Sequence, residues 1–122
     1  IVSAREFAMR NSFIYPLIGV ALLALSPTSP AEDGSVSITS PAEGARLDAG
    51  TRSTLSYVVV PGSRGDHTHL YLDNRQEAIL RALKGDYQLP SLAPGAHDIC
   101  IRVVDKGHTP TGMEKCVHVT AQ

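Results

Sequence analysis

The chain has 122 residues, 11 Lys/Arg against 12 Asp/Glu, and a formal net charge of −1. With no basic stripe and only 5% aromatic residues, it lacks the footprint of a nucleic-acid binder. Its length holds one small domain, which buries a limited fraction of its surface and gains from a covalent staple.

Residues 1–31 read as a targeting segment. Ile1–Ala8 precede a natural start at Met9 and read as a vector-derived leader. Met9-Arg10-Asn11 is a short basic opening, and Phe13–Leu25 is apolar and uncharged. Ser26–Ala31 then offers small residues, with Ser29 and Ala31 at the −3 and −1 positions of a cleavage site. Residues 9–31 are therefore expected to be a secretory signal peptide, although an uncleaved anchor shares much of this pattern. The apolar run falls short of the roughly 20 residues a membrane helix needs, so the mature chain, 32–122, is expected to carry no span. No cysteine follows the expected cut, which argues against a lipid anchor. Periplasmic or secreted localisation is the consequence, in a compartment where a disulfide can form.

Within 32–122, short alternating segments recur between Gly, Pro, Asn and Asp. Val36 and Ile38 alternate in Ser35–Ser40; Leu55, Tyr57 and Val59 in Ser53–Val60; Leu70 and Leu72 in His67–Asp73. Tyr87 and Leu89 lie in Asp86–Leu92, Ile99, Ile101 and Val103 form the longest run, and Val117 and Val119 the last. Gln76–Lys84 is ambiguous: Ile79, Leu80 and Leu83 share a helical face, but a helix this short is marginal alone, so an irregular strand is favoured. This spacing predicts an all-β, antiparallel sandwich of about seven strands.

Leu92-Ala-Pro-Gly95-Ala-His97 makes a tight corner before the Ile99 strand. The chain also carries Asp66-His67-Thr68-His69-Leu70-Tyr71-Leu72-Asp73, Leu83-Lys84-Gly85-Asp86-Tyr87 and Asp105-Lys106-Gly107-His108-Thr109-Pro110. This pattern resembles fibronectin type III and related immunoglobulin-like domains of exported bacterial proteins. Some uncharacterised members carry a Gly-His-His-His-Leu-Leu-Ile-Asp strand. The resemblance implies an immunoglobulin-like fold and export, and supplies no activity. His97 stands where such corners carry an aromatic residue that hydrogen-bonds back to the backbone. The chain departs from antibody-type domains in lacking tryptophan and the pair of cysteines on facing sheets.

Cys100 and Cys116 lie on the last two strands. A hairpin centred on His108 sets them face to face, on the side opposite Ile99, Ile101, Val117 and Val119, and predicts a cross-strand disulfide. A thiolate metal site with His118 is the competing reading, disfavoured by an oxidising compartment.

His67 and His69, at i and i+2 of a strand, share one face roughly 6.5 Å apart. The immunoglobulin-like arrangement implies that the third strand lies antiparallel beside the sixth. That pairing sets His67 and His69 near Arg102, Val104 and the loop bearing His108. The three histidines suit Zn(II) or Cu(II), with Asp66 and Asp105 placed to orient or ligate. The two strand histidines face outward, so truncating His69 is expected to cost little stability. The plainer reading is a polar strand edge and a loop cap. His118 is expected at the opposite end, without a function.

No serine elbow, acid/base pair or cofactor fingerprint is present, so an enzyme is not expected. Arg64-Gly65-Asp66 matches an integrin-type tripeptide and carries no weight at that length. The reading favoured by sequence is an exported, non-catalytic immunoglobulin-like binding or accessory module for an unknown envelope partner. The alternative is a periplasmic copper or zinc binding protein that uses the histidine end.

Overall fold

Alternating β-branched and polar residues suit a pleated, half-buried surface. The computed structural model describes residues 33–122. The expected leader and signal peptide lie outside the described residues. Eight strands appear there: β1 Ser35–Ser40, β2 Arg46–Leu47, β3 Thr54–Val60, β4 His67–Leu72, β5 Arg75–Leu80, β6 Lys84–Gln88, β7 Gly95–Val104 and β8 Pro110–Ala121. They form one sheet ordered β1-β3-β6 and another ordered β2-β8-β7-β4-β5. All pairings are antiparallel except β2 with β8.

The core lies between the sheets. Leu55, Tyr57 and Val59 of β3 meet Leu70 of β4, Ile99, Ile101 and Val103 of β7, and Val117 and Val119 of β8. Leu55, Leu70, Ile99, Ile101 and Val103 are fully buried. The Tyr57 hydroxyl stays inside by donating to the Ala82 carbonyl at 3.1 Å, which ties the β5–β6 turn to the core.

Three differences from the sequence expectation have local causes. β2 has no signal in the sequence, because two residues in a Pro- and Gly-broken stretch carry no period. It pairs Arg46 with Thr120 and Leu47 with Ala121. Gln76–Lys84 is a strand only as far as Leu80. Then β6 starts at Lys84 rather than Asp86 and ends at Gln88, while Leu89 and Leu92 remain buried beyond it.

Two irregularities position the strands and loop that bear the histidines. Asp73 and Asn74 both take positive φ, 52° and 71°, as a two-residue hairpin turn requires. A bulge then shifts β5 so that Ala78 faces Leu70 and Ile79 faces His69. A larger one lies in β8: Arg102 pairs with Glu114, but Val104 pairs with Pro110. Extra residues on one strand bend a ribbon and increase its twist. The β7–β8 hairpin therefore does not remain centred on His108 up to its tip.

Cys100 and Cys116 pair directly across β7 and β8, with Cα atoms 4.0 Å apart and their sulfurs bonded. Both side chains lie on the outer face. Closing this loop is expected to add about 3 kcal/mol of stability. Cys100→Ser and Cys116→Ser should each lose about that much in urea unfolding, and the double variant little more, because one interaction is removed in all three. Additive losses would show that the two sulfurs act separately.

Candidate metal centre

The centre is built by register. β4 lies between β7 and β5, with His67 opposite Val104 and His69 opposite both Arg102 and Ile79. The intervening Thr68 and Leu70 point into the core, so both imidazoles project from the outer face. There the bent β7–β8 tip meets them. His67 is 2% exposed and His69 5%, whereas His108 remains exposed. Strand parity places the two histidines on the outer face, as the sequence suggests, but gives no sign of this cover. Outward direction and exposure are different properties, and truncating His69 removes a buried side chain.

His108 Nδ1 lies 2.9 Å from His69 Nε2 and 3.3 Å from His67 Nε2. Three imidazole nitrogens at tetrahedral angles on bonds of ~2.1 Å are about 3.4 Å apart, so the cluster is already near metal-binding spacing. These ligand atoms form a group within 4.8 Å of one another, and among the described residues no fourth His, Cys, Asp or Glu joins it.

Asp66 completes the arrangement from behind. Its Oδ2 accepts from His67 Nδ1 at 2.9 Å. With that proton on Nδ1, Nε2 presents its lone pair to the other two rings, the usual way a carboxylate fixes the tautomer of a ligating histidine. Asp66 is itself held by its backbone N–H, which donates to the Val104 carbonyl at 2.8 Å. Gly65 lets the loop come this close, since a Cβ there would collide with the Pro61 carbonyl and the Val103 side chain.

Asp105 has a different role from the one expected of it. It touches no imidazole; its Oδ1 accepts from the backbone of Gly107 at 2.8 Å and of Thr109 at 2.9 Å. The His108 N–H donates to the Asp105 carbonyl at 2.9 Å. These bonds hold His108 at φ 69°, a left-handed conformation that a side-chain-bearing residue rarely adopts unaided. Asp105 thus aims His108 through the backbone.

Electrostatics at His69 is governed by crowding. Burial first, then the neighbouring His67, His108 and Arg81, push its imidazole below the ordinary histidine range. Cys100 and Cys116 offer no thiolate, being bonded to each other. His118 lies away from the cluster, opposite Asp98 and 3.2 Å from a Glu43 carboxylate oxygen, at an exposed pair.

This two-sheet arrangement has counterparts among solved structures. A fibronectin(III)-like module of CbhA from Clostridium thermocellum matches with a TM-score of 0.61 at 12% identity, over 71% of this chain and 96% of that one. The fold is a fibronectin III-like β-sandwich. The extracellular domain of a putative one-component system from B. thetaiotaomicron matches at 0.49 and 10% identity, over 78% of this chain and 16% of that one. No protein-family model and no curated protein matches the sequence.

The fibronectin III-like corner carries His97. Its Nε2 donates to the Ala93 carbonyl at 2.7 Å and its Nδ1 to Asp73 Oδ2 at 2.6 Å. Both nitrogens are donors, so the ring is held as imidazolium. The Asp73 hydrogen bond, then the Ala93 carbonyl, raise its pKa.

The two histidines therefore have opposite pH dependences. His97, with a raised folded pKa, contributes stability that is complete below about pH 6.5 and is lost as pH rises through the folded value. His69, with a lowered one, contributes stability present above about pH 6.5 and lost as pH falls through its folded value. In metal-free urea titrations, His97→Ala should flatten the alkaline side of the stability curve and His69→Ala the acid side. His69→Ala should also cost about 1–3 kcal/mol at neutral pH as a buried truncation. A His69→Ala loss within error of zero would mean the ring is solvated in solution.

Proposed function

We propose that this protein is an exported, non-catalytic fibronectin III-like accessory module whose functional end binds a divalent transition metal, Zn(II) or Cu(II), through His67, His69 and His108. The observation that carries the reading is the convergence of three imidazole nitrogens, with Asp66 fixing the tautomer of one of them. A merely polar strand edge has no reason to bury two histidines against each other, where their charged forms repel. A metal ion removes that cost, because it needs them neutral and close.

Imidazole donors suit Zn(II) and Cu(II). Cu(I) is disfavoured: the sole methionine in 32–122 is Met113, which packs against the core rather than facing the cluster. Export is supported by the cross-strand disulfide, which persists in oxidising compartments. The signal-like 9–31 supports the same reading. Among the described residues no helix is long and apolar enough to cross a membrane. The accessory role is supported by the fold, and the macromolecular partner is an envelope component whose identity the site chemistry leaves open.

Metal that binds only the native state stabilises it, by about 2.7 kcal/mol at a free concentration one hundred times Kd. Zn(II) or Cu(II) should therefore raise the melting temperature at neutral pH. The gain should fade as pH drops through about 6.5, because protonated imidazole does not ligate. His69→Ala and His108→Ala should each abolish most of the gain, and His118→Ala should retain it. Equal loss from His118→Ala, or no metal-dependent shift in the parent protein, would contradict the proposal.

A further inference from the structure

The rim of the histidine cluster is chemically one-sided. Thr68 pairs with Leu80 and His69 with Ile79; β5 ends at Leu80, and one more step of the same register carries Arg81 toward His67. Leu80 is buried in the core, and the exposed Arg81 and Ile79 flank it in sequence. After burial, Arg81 is among the charges that hold the His69 imidazole below its ordinary range, in keeping with that register. Ile79 is 42% exposed, one of three large apolar side chains left so open among the described residues. The ion pairs there engage Arg102, through Glu114, and none of them uses Arg81.

The three nitrogens are neutral donors when they ligate, so a divalent ion on them keeps its full charge. Asp66 is committed to the far nitrogen of His67, and no other carboxylate joins the group. The ring of His108 is exposed while the other two are buried, so access to the cluster runs past the β7–β8 tip and β5. A guanidinium beside a bare cation would only repel it. A guanidinium beside a cation that carries an anionic ligand is attracted to that ligand, and its planar fork matches a carboxylate.

Resting on the metal reading above, we propose that the His67–His69–His108 centre takes a carboxylate from outside the chain as its further ligand, gripped between the bound metal and Arg81. The carbon skeleton of that ligand lies along Ile79. Such a ligand is an organic acid or an acidic group on a partner, and the shared chemistry is the carboxylate. Arg81 is then a ligand-positioning residue and holds no metal itself. The sequence shows no sign of this role, since Gln76–Lys84 carries no motif. Only the bulge in β5 sets Ile79 opposite His69, with Arg81 two residues on.

The test uses the purified protein with one equivalent of Cu(II) at neutral pH in a weakly coordinating buffer. Nitrogen hyperfine structure from imidazole in the EPR spectrum reads the metal site by itself. Acetate and benzoate are then titrated in, with chloride and inorganic phosphate alongside. Both carboxylates should shift the copper parameters saturably, benzoate at lower concentration than acetate, and chloride only weakly. Arg81→Ala should weaken carboxylate binding by about tenfold, the equivalent of one charge-assisted hydrogen bond, with the imidazole signature intact. Ile79→Ser should weaken benzoate more than acetate.

An imidazole-bound copper spectrum indifferent to carboxylate, or equally responsive in Arg81→Ala, would overturn this inference and leave the metal site standing. Tighter binding of phosphate than of either carboxylate would overturn the ligand class. Absence of imidazole-bound copper would overturn the metal reading and this inference with it.

Discussion

Leu70 faces Ile101 across one side of β4 and Ala78 across the other, and this double register governs the rest of the molecule. Side chains alternate between faces with a period of two, so a slip of one residue would send every side chain of β4 to the other face. Held as it is, the strand delivers Leu70 to the core and His67 and His69 to the outside. The register is enforced from both flanks. On one, the two-residue Asp73-Asn74 turn fixes where β5 begins. On the other, fully buried Ile99, Ile101 and Val103 fix β7 against the opposite sheet. Burial of apolar side chains, a non-directional force, thereby sets the position of two polar rings.

The third ring depends on how the β7–β8 hairpin is stiffened along its length. From the base toward the tip, the Cys100–Cys116 bridge comes first. Next is the Arg102–Glu114 pair at 2.6 Å, with the Arg102 guanidinium 4.0 Å from the Tyr71 ring centroid. The bulge then turns the tip, and Asp105 closes the final loop with bonds to Gly107 and Thr109. The half-exposed ion pair is worth little by itself. Together these devices hold His108 over β4, so little loop-ordering entropy remains to be lost when a ligand binds.

Much of this is legible in the residues. The alternation of Leu55, Tyr57 and Val59, and of Ile99, Ile101 and Val103, marks strands because one face of a sheet must be buried. The cross-strand position of Cys100 and Cys116 comes from the same parity, and Gly95-Ala-His97 marks its corner by turn chemistry. Bulges are not legible, since one or two extra residues leave the local pattern unchanged while altering who faces whom. That is why Ile79 gives no sign of lying opposite His69. Burial of His67 and His69 is also hidden, because it is imposed by a loop forty residues away. Proximity in sequence suggests an imidazole contact for Asp105, whose carboxylate satisfies backbone N–H groups instead.

The proposed site requires that three particular nitrogens, and no others, share one metal ion. Proton-detected nitrogen NMR of the histidine side chains resolves Nδ1 from Nε2 in each ring. On titration with Zn(II) to one equivalent, Nε2 of His67, Nε2 of His69 and Nδ1 of His108 should shift together and saturate together. Nδ1 of His67 should stay protonated toward Asp66, and the rings of His97 and His118 should stay where they were. Metal-induced shifts at Nδ1 of His67, or shifts spread evenly over all five histidines, would contradict the three-nitrogen site.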